Sequence, residues 1–183
     1  MEHVYNNGKI KRICLYGGAG CGKSTLAAGL FYEMKKHGFN VEYVPEYIKD
    51  WAYEGRIPKS FQQLYIFAKQ LNREDVLFPH VSTIITDSPL LMNTVYSKKY
   101  NFVGWRQLVA MADLFEEKYP GLHIFLNRGD MGYRTEGRYE DIDGAKSMDA
   151  MIKEVLSENY AYTEFDSRDF EKIKQHVFKA MTD

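Results

Sequence analysis

The chain has 183 residues with 24 basic and 25 acidic side chains, a formal charge of −1, and 45% hydrophobic and 27% charged residues. That is an ordinary globular composition, long enough to bury a core without staples, so a disulfide scaffold and a disordered chain are excluded. The near-neutral balance argues against a dedicated duplex-DNA binder, which would carry a cationic excess.

Two cysteines, Cys14 and Cys21, are too few and too close for a disulfide framework and fit a reducing compartment. The N-terminus has no basic stretch leading into an apolar one, and no 18-residue apolar run occurs. The expectation is a cytoplasmic protein of one domain, residues 1–183.

In chain order, residues 10–16 read as a strand running into glycines, and 23–37 as a helix with Leu26, Leu30 and Met34 on one face, stopped by Gly38. Val41 to Val44 alternates and ends at Pro45, giving a second strand. Residues 60–77 have helical period, with Phe61, Leu64, Tyr65, Ala68 and Leu71 as the apolar stripe. A strand from Val81 to Thr86 stops at Asp87, and Ser88 is placed to cap a helix with Pro89 at its first position. Residues 104–118 read as a helix and Leu122 to Leu126 as a buried strand. A polar loop over 127–143, a helix over 145–157, a strand near Tyr160–Phe165 and a helix over 168–180 follow. Strands alternating with crossover-length helices predict an α/β fold, a five-stranded parallel sheet with helices on both faces.

The most specific motif is Gly17-Gly18-Ala19-Gly20-Cys21-Gly22-Lys23-Ser24-Thr25, which fits G-x-x-x-x-G-K-[ST] between a strand and an amphipathic helix. Glycines let backbone N–H groups curl around phosphate oxygens, and the helix start adds its positive dipole end. Lys23 reaches the β- and γ-phosphates of ATP as a point charge, and the Ser24 hydroxyl is suited to Mg²⁺. Cys21 is either an oxidation-sensitive group or a small filler.

Carboxylates end two strands. Asp87 emerges beside the phosphate loop, where a second Mg²⁺ ligand belongs, and Glu46 reaches the same rim as a base for an attacking hydroxyl. The bland alternative for Glu46 is a helix-start residue favoured by the dipole. Between the fourth strand and the next helix, Arg128, Arg134 and Arg138 alternate with glycines, which suits a lid over the transferring group, with Arg134 and Arg138 as clamps. The same arginines would otherwise pair with neighbouring acids.

Gln63, Gln70 and Arg73 share one face of the 60–77 helix, opposite part of its apolar stripe. That face is either a reader of base or ribose or an ordinary wet surface. Trp51, Tyr47, Tyr53 and Phe67 are candidates for a stacking wall, with core packing as the alternative.

The order of these parts resembles the small P-loop kinases of nucleosides and nucleotides. It is most similar to phage-type P-loop kinases and ribosylnicotinamide kinase-like, AAA-type P-loop ATPases. The resemblance rests on Gly17–Thr25, Pro45-Glu46-Tyr47 with Lys49-Asp50, the Gln63 to Gln70 helix, Thr86-Asp87-Ser88-Pro89-Leu90-Leu91, and Glu136-Gly137-Arg138, and covers residues 10–178. It implies that Ser24 and Asp87 hold Mg²⁺, that Glu46 matches the catalytic carboxylate after the second strand of deoxynucleoside kinases, and that Arg134 and Arg138 belong to the lid. Those kinases follow their third strand with Glu-Arg-Ser, whereas this chain has Thr86-Asp87-Ser88 and lacks that arginine.

The implied activity is transfer of the γ-phosphoryl group of ATP to a hydroxyl or phosphate of a nucleoside, nucleotide or modified base. Some phage relatives act on a hydroxymethylated base in DNA, which makes DNA an alternative acceptor. A nucleotide-operated switch or motor is the reading from another class. Against it, no Asn is followed by Lys, as the guanine reader of a switch requires, and the chain has little room for a motor's extra helical domain.

Overall fold

A computed structural model describes residues 7–59, 61–129 and 138–183. Five strands, β1 (Arg12–Tyr16), β2 (Val41–Val44), β3 (Thr83–Thr86), β4 (Gly121–Asn127) and β5 (Tyr162–Asp166), alternate with seven helices among the described residues. These are α1 (Lys23–Lys36), α2 (Lys49–Tyr53), α3 (Gln62–Asp75), α4 (Leu90–Lys99), α5 (Trp105–Lys118), α6 (Ile142–Asn159) and α7 (Phe170–Thr182). The strands pair in parallel in the order β2-β3-β1-β4-β5, as the alternating pattern predicts.

Successive residues of a strand face opposite sides, and β1 uses both. Ile13 and Leu15 pack with α1 and α7 through Leu26, Leu30, Met34, Ile173, Val177 and Met181. Cys14 and Tyr16 pack with α4 and α6 through Leu91, Met92, Val95, Met148, Ile152 and Leu156. A third cluster joins α3, α4 and α5 through Phe67, Leu90, Leu108, Ala112 and Phe115. No helix among the described residues is long and apolar enough to cross a membrane.

Strand β1 lies between β3 and β4, so the chain leaves it toward β2 on one side and crosses to β4 on the other. Ligands of open α/β sheets bind at such a reversal, outside the carboxyl ends of the strands. Here those ends carry the glycine-rich loop after β1, Glu46 after β2, Asp87 after β3 and Arg128 after β4.

Three local expectations are corrected. Helix α4 starts at Leu90, with Pro89 as its N-cap in an extended conformation (ψ 153°) and no side-chain cap, so Ser88 does not cap it. Helix α6 starts at Ile142, earlier than expected, because the Asp141 carboxylate accepts the Gly144 N–H at 2.8 Å and caps it. The third correction concerns α3, whose apolar stripe faces the wrong way. Phe61 is 67% exposed and Leu64 48% exposed, with Tyr65 and Ala68 also exposed, while Gln63, Ile66, Phe67, Gln70 and Glu74 are buried. Leu71 sits at the seam, packed against the third cluster. The polar side chains turn inward because partners wait for them there, as described next.

Candidate active site

The loop after β1 turns through left-handed backbone at Gly17 (φ 137°) and Gly22 (φ 91°), conformations that side-chain-bearing residues rarely adopt. At Gly17 a Cβ would also lie 2.6 Å from Cys21 Sγ. Gly22 is the N-cap of α1 and offers no side chain, so the first-turn N–H groups of the helix are left for a ligand. Lys23 folds over the loop, its Nζ donating to Gly17 O at 2.6 Å and Gly18 O at 2.9 Å.

Ala19, Gly20, Gly22, Lys23, Ser24 and Thr25 line a cleft of about 270 Å³. Gly17, Gly18 and Cys21 do not line it. The Cys21 side chain is buried beneath the loop and packs in the core beside α1 and α7, which makes it a filler.

Glu46 and Asp87 line the same cleft. The Asp87 carboxylate is buried, accepting the Tyr43 hydroxyl at 2.7 Å and the Glu46 backbone N–H at 2.9 Å. Burial pushes the Glu46 carboxyl above the usual range, opposed by the Lys23 ammonium and reinforced by Asp87. Burial, with Asp87 alongside, also raises the Tyr43 phenol well beyond its ordinary value, a rise that the nearby Ser24 hydroxyl opposes. Tyr43 therefore holds the carboxylate expected at a metal ion, a role that an alternating strand motif does not reveal.

Ser24 and Asp87 fit Mg²⁺ by the chemistry of their donors, a hydroxyl and a carboxylate that both line the cleft. Mg²⁺ takes few protein ligands beside phosphate and water, and Asp87 retains acceptor capacity beyond its two hydrogen bonds. No group of three His, Cys, Asp or Glu side chains suited to a metal occurs among the described residues, so such an ion would rest on those two oxygens and the substrate phosphates.

The cleft is also lined by Gln63 and Ile66 of α3, Met92, Asn93 and Tyr96 of α4, and Tyr53, Tyr100, Arg138, Tyr139 and Glu140. Gln63 is buried, and its Nε2 has no hydrogen-bond partner among the described residues. Burial raises the Tyr139 phenol to about 12. Arg138 reaches the cleft, whereas Arg134 and the middle of the expected lid lie outside the described residues.

Gln70 and Arg73 do not join Gln63 at the cleft. Gln70 Oε1 accepts the Tyr47 backbone N–H at 3.0 Å, and Arg73 Nη1 donates to Pro45 O at 3.2 Å with its guanidinium over the Tyr47 ring. Both tie down the segment that presents Glu46.

Beneath them lies Glu74, which composition alone would leave on the surface. Its Oε1 accepts the Thr86 hydroxyl at 3.1 Å and the Gln70 amide at 3.4 Å, and Arg12 lies 3.6 Å from Oε2. These are the partners that draw the polar face of α3 inward. The expected stacking wall is dispersed. Phe67 is core, Tyr53 lines the cleft, and Tyr47, Trp51 and Tyr65 form an outer aromatic group with Arg56 over Trp51.

Arg128 is turned toward the loop rather than the cleft. Its Nη1 donates to Ala19 O at 2.7 Å, while Nε and Nη2 donate to Asp149 Oδ2 at 3.2 and 3.1 Å. Asp149 went unread because nothing local to α6 marks it.

A family model described as AAA domain matches residues 12–172. No curated protein matches the chain. Among solved structures, NadR protein in complex with NR aligns at TM-score 0.68 and 14% identity over 94% of this chain, which spans half of the NadR chain's length. YorR protein from Bacillus subtilis, in complex with phosphorylated GDP, aligns at 0.56 and 19% identity over 92% of this chain and 94% of its own. Deoxyadenosine kinase from M. mycoides, with the products dCMP and a flexible dCDP, aligns at 0.54 and 18% identity over 92% and 97%. The shared feature is the fold of P-loop nucleoside and nucleotide kinases.

Proposed function

The chain belongs to the AAA-domain family, and from that premise we propose that residues 1–183 form one ATP-dependent P-loop kinase domain acting on a hydroxyl of a nucleoside-like acceptor. The observation that carries the reading is the cleft itself. Lys23 and Ser24 of the phosphate loop share it with the Glu46 carboxylate and with the buried Gln63 side chain, whose Nε2 has no hydrogen-bond partner among the described residues.

In this reading the loop N–H groups and Lys23 hold the β- and γ-phosphates, and Arg138 offsets charge spreading onto the transferring group. Glu46 takes the proton of the acceptor hydroxyl as its oxygen bonds to the γ-phosphorus, while the bond from that phosphorus to the bridging oxygen breaks and ADP leaves. Ser24 and Asp87 would hold Mg²⁺, which when bound neutralises phosphate charge. The carboxylate favours a hydroxyl acceptor over a phosphate, because a phosphate needs cations rather than a base at that position. Gln63 and the cleft tyrosines supply hydrogen bonds for a base or sugar.

The test is incubation with γ-labelled ATP and Mg²⁺ against nucleosides, nucleotides and hydroxymethylated DNA. Label on a nucleoside is the expected outcome. Label on DNA alone would move the acceptor to a polymer. Release of free phosphate with no labelled acceptor would defeat the kinase reading in favour of a switch or motor.

A further inference from the structure

Residues Gly18 and Ala19 are gripped from outside the cleft by two charged side chains that come from elsewhere in the chain. Asp149 Oδ1, on α6, accepts the Gly18 N–H at 2.5 Å. Arg128, just beyond β4, donates to the Ala19 carbonyl at 2.7 Å and to the other Asp149 oxygen from two nitrogens. One carboxylate and one guanidinium thus close a ring through consecutive loop residues.

The grip is close. A Cβ at Gly18 would lie 2.5 Å from the Ala145 carbonyl and 2.8 Å from Asp149 Oδ1, so only glycine lets α6 approach this near. Both side chains are largely buried, at 12% exposure for Arg128 and 18% for Asp149, where an ion pair is screened less than at the surface. The bonds are charge-assisted, with two guanidinium nitrogens converging on one carboxylate oxygen and leaving the other for the Gly18 N–H.

A phosphate loop binds through N–H groups whose directions depend on the torsions of the loop, so whatever fixes residues 18 and 19 fixes the start of that cradle. We infer that Arg128 and Asp149 are positioning residues for the donor phosphates. They hold the loop in its binding shape before ATP arrives without touching the nucleotide. The inference rests on the reading of this loop as an ATP site and assigns Arg128 a different task from the lid role expected of it.

The experiment measures ATP binding directly, by equilibrium dialysis with labelled ATP and no acceptor, alongside the thermal midpoint of the nucleotide-free protein. Asp149→Ala removes both the pair and the Gly18 contact. Asp149→Asn keeps an acceptor for the Gly18 N–H, and Arg128→Lys keeps the charge without the fork. Asp149→Ala should weaken ATP by about tenfold or more, the range for a lost charge-assisted hydrogen bond. Asp149→Asn should lose less and Arg128→Lys nearly as much as the alanine variant, with each folded protein melting as a single transition. In steady state the loss should fall on KM for ATP, leaving KM for the acceptor unchanged.

If Asp149→Ala does not fold, the two conservative variants carry the test. ATP affinity within twofold of wild type in folded variants would overturn the positioning role while leaving the kinase reading intact. Affinity for ATP that tracks only a loss of folded fraction would also overturn it. Wild-type protein that binds ATP but labels no acceptor would defeat the kinase reading and leave this inference standing, and wild-type protein that binds no ATP would overturn both.

Discussion

Residues 17–25 shape their part of the cleft with main-chain conformation and one lysine, whereas the part around Glu46 depends on side chains arriving from β1, β2, β3 and α3. On the loop side the decisive groups are consecutive in sequence, with Gly22 handing the chain directly into α1. On the other side Glu46 is presented by a segment whose successive N–H groups, at Glu46 and Tyr47, are held by Asp87 and by Gln70. Gln70 is held in turn by Glu74, which also meets Thr86 and Arg12. Apart from the grip of Arg128 and Asp149 on residues 18 and 19, the first side rests on local glycine geometry, whereas the second is only as well placed as its buried hydrogen bonds.

The sharpest way to separate the two sides is Glu46→Gln. It should lower kcat by roughly 10²- to 10⁴-fold, the usual span for a lost general base, with ATP affinity unchanged. Because burial raises the Glu46 pKa, wild-type kcat should fall on acidification at a pH above the usual glutamate value of about 4.3, and the variant should lack that limb.

Stability should move the other way. A carboxyl whose folded pKa lies above its unfolded one binds its proton more tightly in the native state. Its contribution is therefore complete below the unfolded value and is lost as pH rises through the folded value. At neutral pH the ionised Glu46 weighs against folding, so Glu46→Gln should raise the thermal midpoint there, with the gap closing below about pH 4. A variant that loses turnover and melts lower at pH 7 would contradict this account.

Next in size is the core under the second side. Phe67 is 2% exposed in the cluster joining α3 to α4 and α5, and Phe67→Ala should cost about 3–5 kcal/mol in urea unfolding. Gln70→Ala should cost less, about 1–3 kcal/mol, by leaving the Tyr47 N–H without its acceptor. It should also lower kcat more than it raises KM for ATP, because the displaced group is the Glu46 segment. If Gln70→Ala raised KM for ATP while kcat held, the separation between the two sides would fail.

The sheet, its helices and the phosphate loop were legible because each depends on a short stretch of chain, a strand pattern or a nine-residue motif. Asp87 and Glu46 were legible as strand ends. What escaped notice was long-range pairing. Glu74 is buried only because Arg12 and Thr86 face it, and Asp149 matters only because Gly18 comes to it. Tyr43 likewise reads as half of an alternating strand until Asp87 and Ser24 are placed beside it. Helix α3 shows the cost of counting apolar residues alone, since hydrophobic periodicity registers side chains that leave water and is blind to polar ones with partners waiting inside.

That last point yields the smallest effect and the most direct test of α3. Were the stripe of Phe61, Leu64, Tyr65 and Ala68 the inward face, Leu64→Gln would bury an unpaired amide and cost several kcal/mol. With Leu64 48% exposed, the substitution should change stability by no more than about 0.5 kcal/mol, as surface changes do. Paired with Phe67→Ala three residues further on, it compares the two faces of one helix in the same unfolding assay. Equal losses at both positions would mean that α3 buries its apolar stripe after all, and Gln63 would then turn away from the cleft.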